Sequence, residues 1–328
     1  MKKFLIIQTA SIGDVILATP VIEKIAAIFP GSQIDFILKK GTARLFNNHP
    51  HITNLYVWHK DKNKYRNLLK IIREVRNEKY THVINLHRFA SSGIIVFFSG
   101  AKIKIGFDKN PFSFCYTFKI KHEIGNNTHE SERNLKLIEA FTNKEKYPVR
   151  LYPSTFELEK INKFIACKYI CIAPASLWFT KQFPEKKWVE FIDRVDEKYQ
   201  IFLLGADSDI PLCESIKEKS INKNITVLSG KLTMLESAAL MESAVMNFVN
   251  DSSPLHLASS VNAPVTAIFC STVTSFGFGP LSDDSVVIEC EDKLPCRPCG
   301  LHGHKDCPER HFSCAENISV DLLLKRIK

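Results

Sequence analysis

Phe4-Leu-Ile-Ile-Gln-Thr-Ala-Ser-Ile-Gly-Asp14 is the stretch whose reading decides the fold. A short, unbroken apolar run stops at a polar turn and passes into a segment that starts a helix, which is the opening of a βα unit. Outward from there the alternation repeats. Strands are expected at 4–8, 33–38, 54–57, 82–86 and 102–106, and again at 169–173, 201–205, 225–228, 245–249 and 265–269. Strands alternating with helical segments build parallel sheets, so the fold class is α/β with two Rossmann-like, doubly wound domains facing a central cleft. A chain of 328 residues also exceeds what one core usually supports. The boundary falls in Tyr147-Pro-Val-Arg-Leu-Tyr-Pro-Ser154, which has two prolines and no helical period, giving domains 1–153 and 154–328. Ser154 with Glu157 reads as a capping box at the start of the second domain. Further helices are expected at 184–199 and, closing the chain, at 317–328.

With 45% hydrophobic and 24% charged residues, the chain is an ordinary globular one. The apolar runs at the amino terminus and at 93–98 are too short for a secretory signal or for the roughly 20 residues that span a bilayer. A cytoplasmic protein, or one peripheral on the cytoplasmic face of the inner membrane, is expected. The formal charge of +9 rewards an anionic partner. Lysines are spread along the chain, as in Lys60-Asp-Lys-Asn-Lys-Tyr-Arg66 and Lys102-Ile-Lys104, without one dense block. The charge therefore reads as solvated surface, with attraction to an anionic membrane as the second contribution and no nucleic-acid partner.

Ligands of open α/β sheets bind beyond the carboxyl ends of the strands, so Asp14 would face the cleft. A lone carboxylate there suits a general base that takes the proton of an attacking hydroxyl; the alternative is a helix cap. Gly13 beside it is read as permitting the turn and lying against the acceptor, and Pro20 as a kink or a later helix start. Beyond the first strand of the second domain, Ala173-Pro-Ala-Ser176 leads to Lys181, whose ammonium can reach a diphosphate and offset the charge of a departing nucleotide. Ser176 is a second donor, or ordinary turn chemistry. In Asn250-Asp-Ser-Ser-Pro-Leu-His256 a strand ends, a turn of small polar residues follows, and Pro254 fits the first position of a helix. Free N–H groups at such a helix start hold phosphate, Asp251 is placed for sugar hydroxyls, and His256 either faces the diphosphate or is a buried structural histidine. The loop 271–280, with Thr272, is a candidate lid or further phosphate contact. Arg88 and Arg133 suit an anionic acceptor because a guanidinium holds two oxygens at once; ion pairs are the alternative. Together these features indicate sugar transfer from an anionic donor.

Cys296, Cys299, Cys307 and Cys314 form C-x2-C-x7-C-x6-C in a Cys-rich loop, 290–314, with His302, His304 and His311 interleaved. The first pair resembles half of a zinc knuckle, but the second lacks the tight spacing of a zinc ribbon. Reduced thiols, a structural zinc and a disulfide all remain open, none tied to sugar transfer.

Gly13-Asp-Val15 with Thr19-Pro20, the segment from Lys181 to Trp188, Asn250-Asp-Ser252 with His256-Leu-Ala258, and Cys296-Arg-Pro-Cys299 together resemble the ADP-heptose:lipopolysaccharide heptosyltransferases, glycosyltransferase family 9. The resemblance spans almost the full chain. It implies a GT-B architecture, with the acceptor on the amino-terminal domain and ADP-heptose mainly on the carboxy-terminal one. It also implies inversion at the anomeric carbon without an essential metal, and an acceptor in the lipopolysaccharide inner core. By position, Asp14 looks like the catalytic base and Lys181 the donor-phosphate contact. Asp251 looks like the heptose ligand, with Ser252, Ser253 and His256 near the diphosphate. Ser253 and Cys270 stand where the family usually has glycine. Other readings are a transferase or epimerase acting on another nucleotide sugar, and a non-catalytic nucleotide-sugar-binding protein.

Overall fold

The computed structural model describes residues 1–60 and 63–327. The chain divides into two units, Met1–Tyr152 and Pro153–Lys328. In the first, strands β1 (Lys3–Ile7), β2 (Gln33–Lys39), β3 (Asn54–Trp58), β4 (His82–Asn85), β5 (Ile103–Phe107) and β6 (Phe118–Ile120) form one sheet in the order β3-β2-β1-β4-β5-β6. Every neighbouring pair is parallel. Helices α1 (Ile12–Ile16), α2 (Thr19–Ile28), α3 (Lys64–Glu78), α4 (Ala90–Phe98) and α5 (Glu130–Lys136) connect and cover it. Phe4, Leu5, Ile6 and Ile7 are wholly buried, as a central strand covered on both faces requires.

The second unit repeats the plan. After α6 (Thr155–Ile161) come β7 (Tyr169–Ala173), α7 (Glu185–Asp193), β8 (Gln200–Leu203), α8 (Ile210–Lys219), β9 (Ile225–Val227), α9 (Met234–Glu242), β10 (Met246–Asn250), α10 (Ser253–Ser260), β11 (Val265–Phe269), β12 (Ser285–Glu289), α11 (Ser313–Glu316) and α12 (Val320–Leu324). The sheet runs β12-β11-β10-β7-β8-β9, again all parallel. Counted from the first strand of each unit, the two orders are the same doubly wound arrangement. At its start, Glu157 accepts from the Ser154 N–H at 2.8 Å and from its hydroxyl, forming the expected capping box.

Pro20 starts a new helix. Lacking an N–H, it cannot donate to the Ile16 carbonyl, and the Thr19 hydroxyl does so instead at 2.7 Å. That same oxygen accepts from the Arg150 N–H at 2.9 Å, and Asn134 donates to the Leu17 carbonyl at 3.0 Å. The Thr-Pro step thus ends α1 and anchors the segment leading to the second unit.

Three expectations need correction. The helix expected at 184–199 is α7 alone, with Pro184 as its cap; Asn222 donates to the Ile192 and Val195 carbonyls at 3.2 and 3.3 Å, and the chain turns away. The closing helix shrinks to α12, and Lys328 lies outside the described residues. Edge strands β6 and β12 were not expected, being partly exposed. Among the described residues, no helix is long and apolar enough to cross a membrane.

Trp188 is wholly buried beneath the second sheet, edge-on to Phe183 with ring centroids 5.1 Å apart. Trp188→Ala should cost about 3–5 kcal/mol through the cavity it leaves, read by urea denaturation, with Trp188→Phe losing less.

Candidate functional site

In the amino-terminal unit the strand order reverses between β1 and β4, and the loops after these strands gather the polar groups. Asp14 is the third residue of α1, half-buried. Its Oδ2 accepts from the Ser11 N–H at 3.0 Å and from the Ser11 hydroxyl at 2.5 Å, a capping box. The helix-cap and base readings therefore meet in one carboxylate: Oδ2 is held by the cap, whereas Oδ1 takes no hydrogen bond among the described residues. Gly13 lies inside α1, buried, its carbonyl accepting from Leu17 at 2.9 Å, and its φ is not left-handed. The turn is made by residues 9–11, which corrects the expectation that Gly13 permits it.

His87, just beyond β4, places Nδ1 3.1 Å from the Thr9 hydroxyl. Lys60 donates to that hydroxyl and to the Thr9 carbonyl, both at 3.1 Å. Burial first, then the Lys60 charge, push His87 down to about 4, so its ring is neutral at neutral pH. Sequence reasoning gave His87 no role and read Lys60 as part of the surface charge. The available signal was position, since His87 follows the strand paired with β1 at the reversal of strand order.

The two arginines part company. Arg88 is half-buried and makes no hydrogen bond or ion pair among the described residues. Arg133 is buried, its Nε donating to Glu130 at 2.7 Å and an Nη1 to the Thr128 carbonyl. That is the ion-pair alternative, and it corrects the expectation that Arg133 presents its fork to an acceptor. Burial raises the Glu130 carboxyl, with Arg133 opposing.

In the second unit the order reverses between β7 and β10, and one amide ties the site together. Asn250, the last residue of β10, donates to the Pro174 carbonyl at 2.7 Å and accepts from the Phe183 N–H at 2.9 Å. The loop after β7 and the chain after Lys181 are thereby fixed to β10. Gln182 adds a bond to the Ser176 carbonyl at 2.6 Å, so it is the backbone of Ser176 that is engaged. Next to this strut, Asp251 is buried with Oδ2 2.6 Å from the Lys181 ammonium, and it accepts from the Thr272 hydroxyl at 2.6 Å. Lys181, Asp251 and Thr272, far apart in sequence, form one charged cluster, and Thr272 orients Asp251.

Ser252 is the cap residue of α10, but its hydroxyl turns to the Asn250 carbonyl at 3.4 Å instead of capping the helix. The Ser253 N–H has no acceptor among the described residues, and Pro254 occupies the second helical position, not the first. Ser253 is outside the left-handed region, so a serine fits where the family usually has glycine. His256 is buried in the first turn. The expected lid begins with Ser271 and Thr272, both buried, which makes its first residues part of the packed unit.

The Cys-rich loop leans on this cluster. The Thr180 hydroxyl accepts from the His304 N–H at 2.8 Å and from the Ser271 hydroxyl at 3.1 Å, while the Cys299 N–H donates to the Ser271 carbonyl at 2.9 Å. Arg297 donates to the Thr272 carbonyl at 2.8 Å. Gly303 is needed at this contact, because a Cβ there would stand 2.8 Å from the Thr180 hydroxyl. Cys296, Cys299, Cys307 and Cys314 line a cavity of about 260 Å³ with His304 and His311. All four thiols are free. Burial and the neighbouring thiols push Cys314 up to about 12. Among the described residues no three His, Cys, Asp or Glu side chains are placed to hold a metal ion.

The sequence profile of glycosyltransferase family 9 (heptosyltransferase) matches residues 68–308. The chain is similar to lipopolysaccharide heptosyltransferase 3 of Escherichia coli (strain K12), 28% identical over 284 residues that cover 79% of this chain and 80% of the relative. Among solved structures it is similar to the glycosyl transferase family 9 from Veillonella parvula DSM 2008, with a TM-score of 0.87 at 21% identity, covering 99% of this chain and 96% of that one. It is also similar to E. coli heptosyltransferase WaaC with ADP, with a TM-score of 0.75 at 18% identity and 98% of each chain covered. These likenesses establish the fold as the GT-B type, with its two Rossmann-like units. With the profile running from α3 into the Cys-rich loop, the chain belongs to glycosyltransferase family 9, the heptosyltransferases.

Proposed function

We propose that this chain transfers a heptosyl group from ADP-heptose to the inner-core oligosaccharide of lipopolysaccharide, inverting the anomeric carbon without a metal ion. The observation that carries the reading is the pairing of Lys181 with Asp251 beside the uncapped start of α10. That arrangement offers a cation and a backbone donor for a diphosphate, and a carboxylate for sugar hydroxyls. The curated relative named above is a lipopolysaccharide heptosyltransferase, and WaaC was solved with ADP, which supports this donor and acceptor class.

In the proposed step Asp14 takes the proton of the acceptor hydroxyl through Oδ1. The acceptor oxygen bonds to the anomeric carbon as the bond from that carbon to the diphosphate oxygen breaks, and ADP leaves with the electron pair. Inversion follows from a single displacement. Lys181 and the Ser253 N–H offset the charge that develops on the leaving diphosphate. Binding to the donor exchanges the Lys181–Asp251 pair for phosphate and sugar contacts. Arg88 is assigned to anionic groups of the acceptor, since its guanidinium makes no hydrogen bond or ion pair among the described residues. The Cys-rich loop buttresses the donor side with reduced thiols, and a structural zinc would require its ligands to move.

Asp14→Asn should lower kcat by about 10²–10⁴-fold while ADP binding survives, because a general base is lost and the cap geometry is largely kept. Near-wild-type turnover would show that Asp14 is only a cap. Lys181→Met should weaken ADP binding in calorimetry and lower stability, because it leaves Asp251 buried without its cation. Adding Asp251→Asn should recover stability but not ADP binding; a double variant that binds ADP like wild type would remove Lys181 from the donor site. Transfer should persist in EDTA, and Cys299→Ser should lower the melting temperature more than kcat. Activity lost to chelation and restored by a divalent ion would overturn the metal-free reading.

A further inference from the structure

The chain's positive charge is unevenly distributed. Residues 1–152 carry 25 Lys and Arg against 12 Asp and Glu, a net of +13, whereas residues 153–328 carry 19 against 23, a net of −4. The basic unit is the one that holds Asp14 and Arg88.

One face of that unit concentrates charge together with exposed apolar rings. Helix α3 buries Leu68, Ile71 and Val75 and turns Lys64, Tyr65, Arg66, Leu69, Lys70 and Arg73 outward. Tyr65 is 75% exposed and Leu69 56%, one helical turn apart on that outer surface. The acidic residues of the helix are both engaged, Glu74 with Lys70 at 3.7 Å and Glu78 with Lys3 at 3.0 Å. At the end of α3, Arg76 reaches the Phe98 carbonyl at 3.4 Å and joins the helix to a second patch.

That patch is a cluster of phenylalanines at the end of α4. Phe97 lies 4.9 Å from Phe98, 6.1 Å from Phe112 and 6.0 Å from Phe114, ring centre to ring centre. Phe114 is 68% exposed. Gly93 makes the cluster possible, because a Cβ there would stand 2.7 Å from the Phe112 Cβ and hold the loop off the helix. Lys104 completes the rim, its ammonium 3.1 Å from the Phe97 carbonyl.

We infer that the outer face of α3 and the phenylalanine cluster at the end of α4 form a docking surface for an anionic lipid bilayer. An outward row of Lys and Arg draws the unit to acidic headgroups, while Tyr65, Leu69 and Phe114 enter the interfacial layer. The surface is basic and carries exposed apolar side chains, Tyr65, Leu69 and Phe114. Its position relative to the site follows from α4. Arg88 stands just before the first turn of this helix and Phe98 ends it, so about 13 Å of helix separates the proposed acceptor contact from the proposed membrane contact. The inference rests on the reading that the acceptor is a saccharide anchored in lipid.

The test is flotation of the purified full chain with vesicles free of acceptor, made either of phosphatidylethanolamine with phosphatidylglycerol or of phosphatidylcholine alone. Binding should require phosphatidylglycerol and weaken as salt rises to about 0.5 M. Leu69→Ser with Phe114→Ser, and separately Arg66→Glu with Arg73→Glu, should each reduce it by about tenfold or more. Both double variants should keep wild-type melting temperatures and transfer to a delipidated, water-soluble core oligosaccharide at the wild-type rate. The inference is overturned if wild type fails to float with anionic vesicles, if the variants float as well as wild type, or if light scattering shows this face pairing two copies of the chain. Absence of transfer to the soluble acceptor by wild type would count against the proposed function and leave the vesicle result to stand separately.

Discussion

All strands in each unit run parallel, and the strand order reverses once, between β1 and β4 and between β7 and β10. Much else follows from that constraint. Parallel strands deliver all their outgoing loops to one edge, and at the reversal adjacent loops diverge to opposite faces, leaving a crevice that backbone does not fill. Asp14 and His87 flank that point in the first unit; Lys181 and Asp251 do so in the second. Their placement depends on groups that hold the loops at the edge, and in the second unit the Asn250 side chain does this by bonding to both Pro174 and Phe183.

Stabilising roles and proposed chemical roles are combined in the same residues. The Asp14 carboxylate closes a capping box with one oxygen and leaves the other open, so the helix itself aims the proposed base. Asp251 is buried against Lys181, and that charge pair holds both side chains in place. The Thr19-Pro20 step ends α1 and also secures the segment that leads out of the first unit.

How much of this was legible in the sequence depended on burial. Strands β7 and β11 were read to the residue because both faces are covered and the apolar run is continuous. Edge strands β6 and β12 left no such run. The site motifs were legible as segments, since a strand followed by small polar residues marks a ligand-facing loop. Partners within them were not. Nothing local separates Arg88 from Arg133; burial against Glu130 decides between them, and that depends on how α5 packs. The link between the Cys-rich loop and Thr180 spans more than a hundred residues and has no spacing pattern to reveal it.

The most direct test of the account is release of ADP by the purified protein from ADP-heptose, with and without heptose-deficient lipopolysaccharide. The account predicts release only when donor and acceptor are both present, with heptose appearing on the core in equal amount. Conversion of the donor without acceptor, or no turnover by folded protein supplied with both, would contradict it.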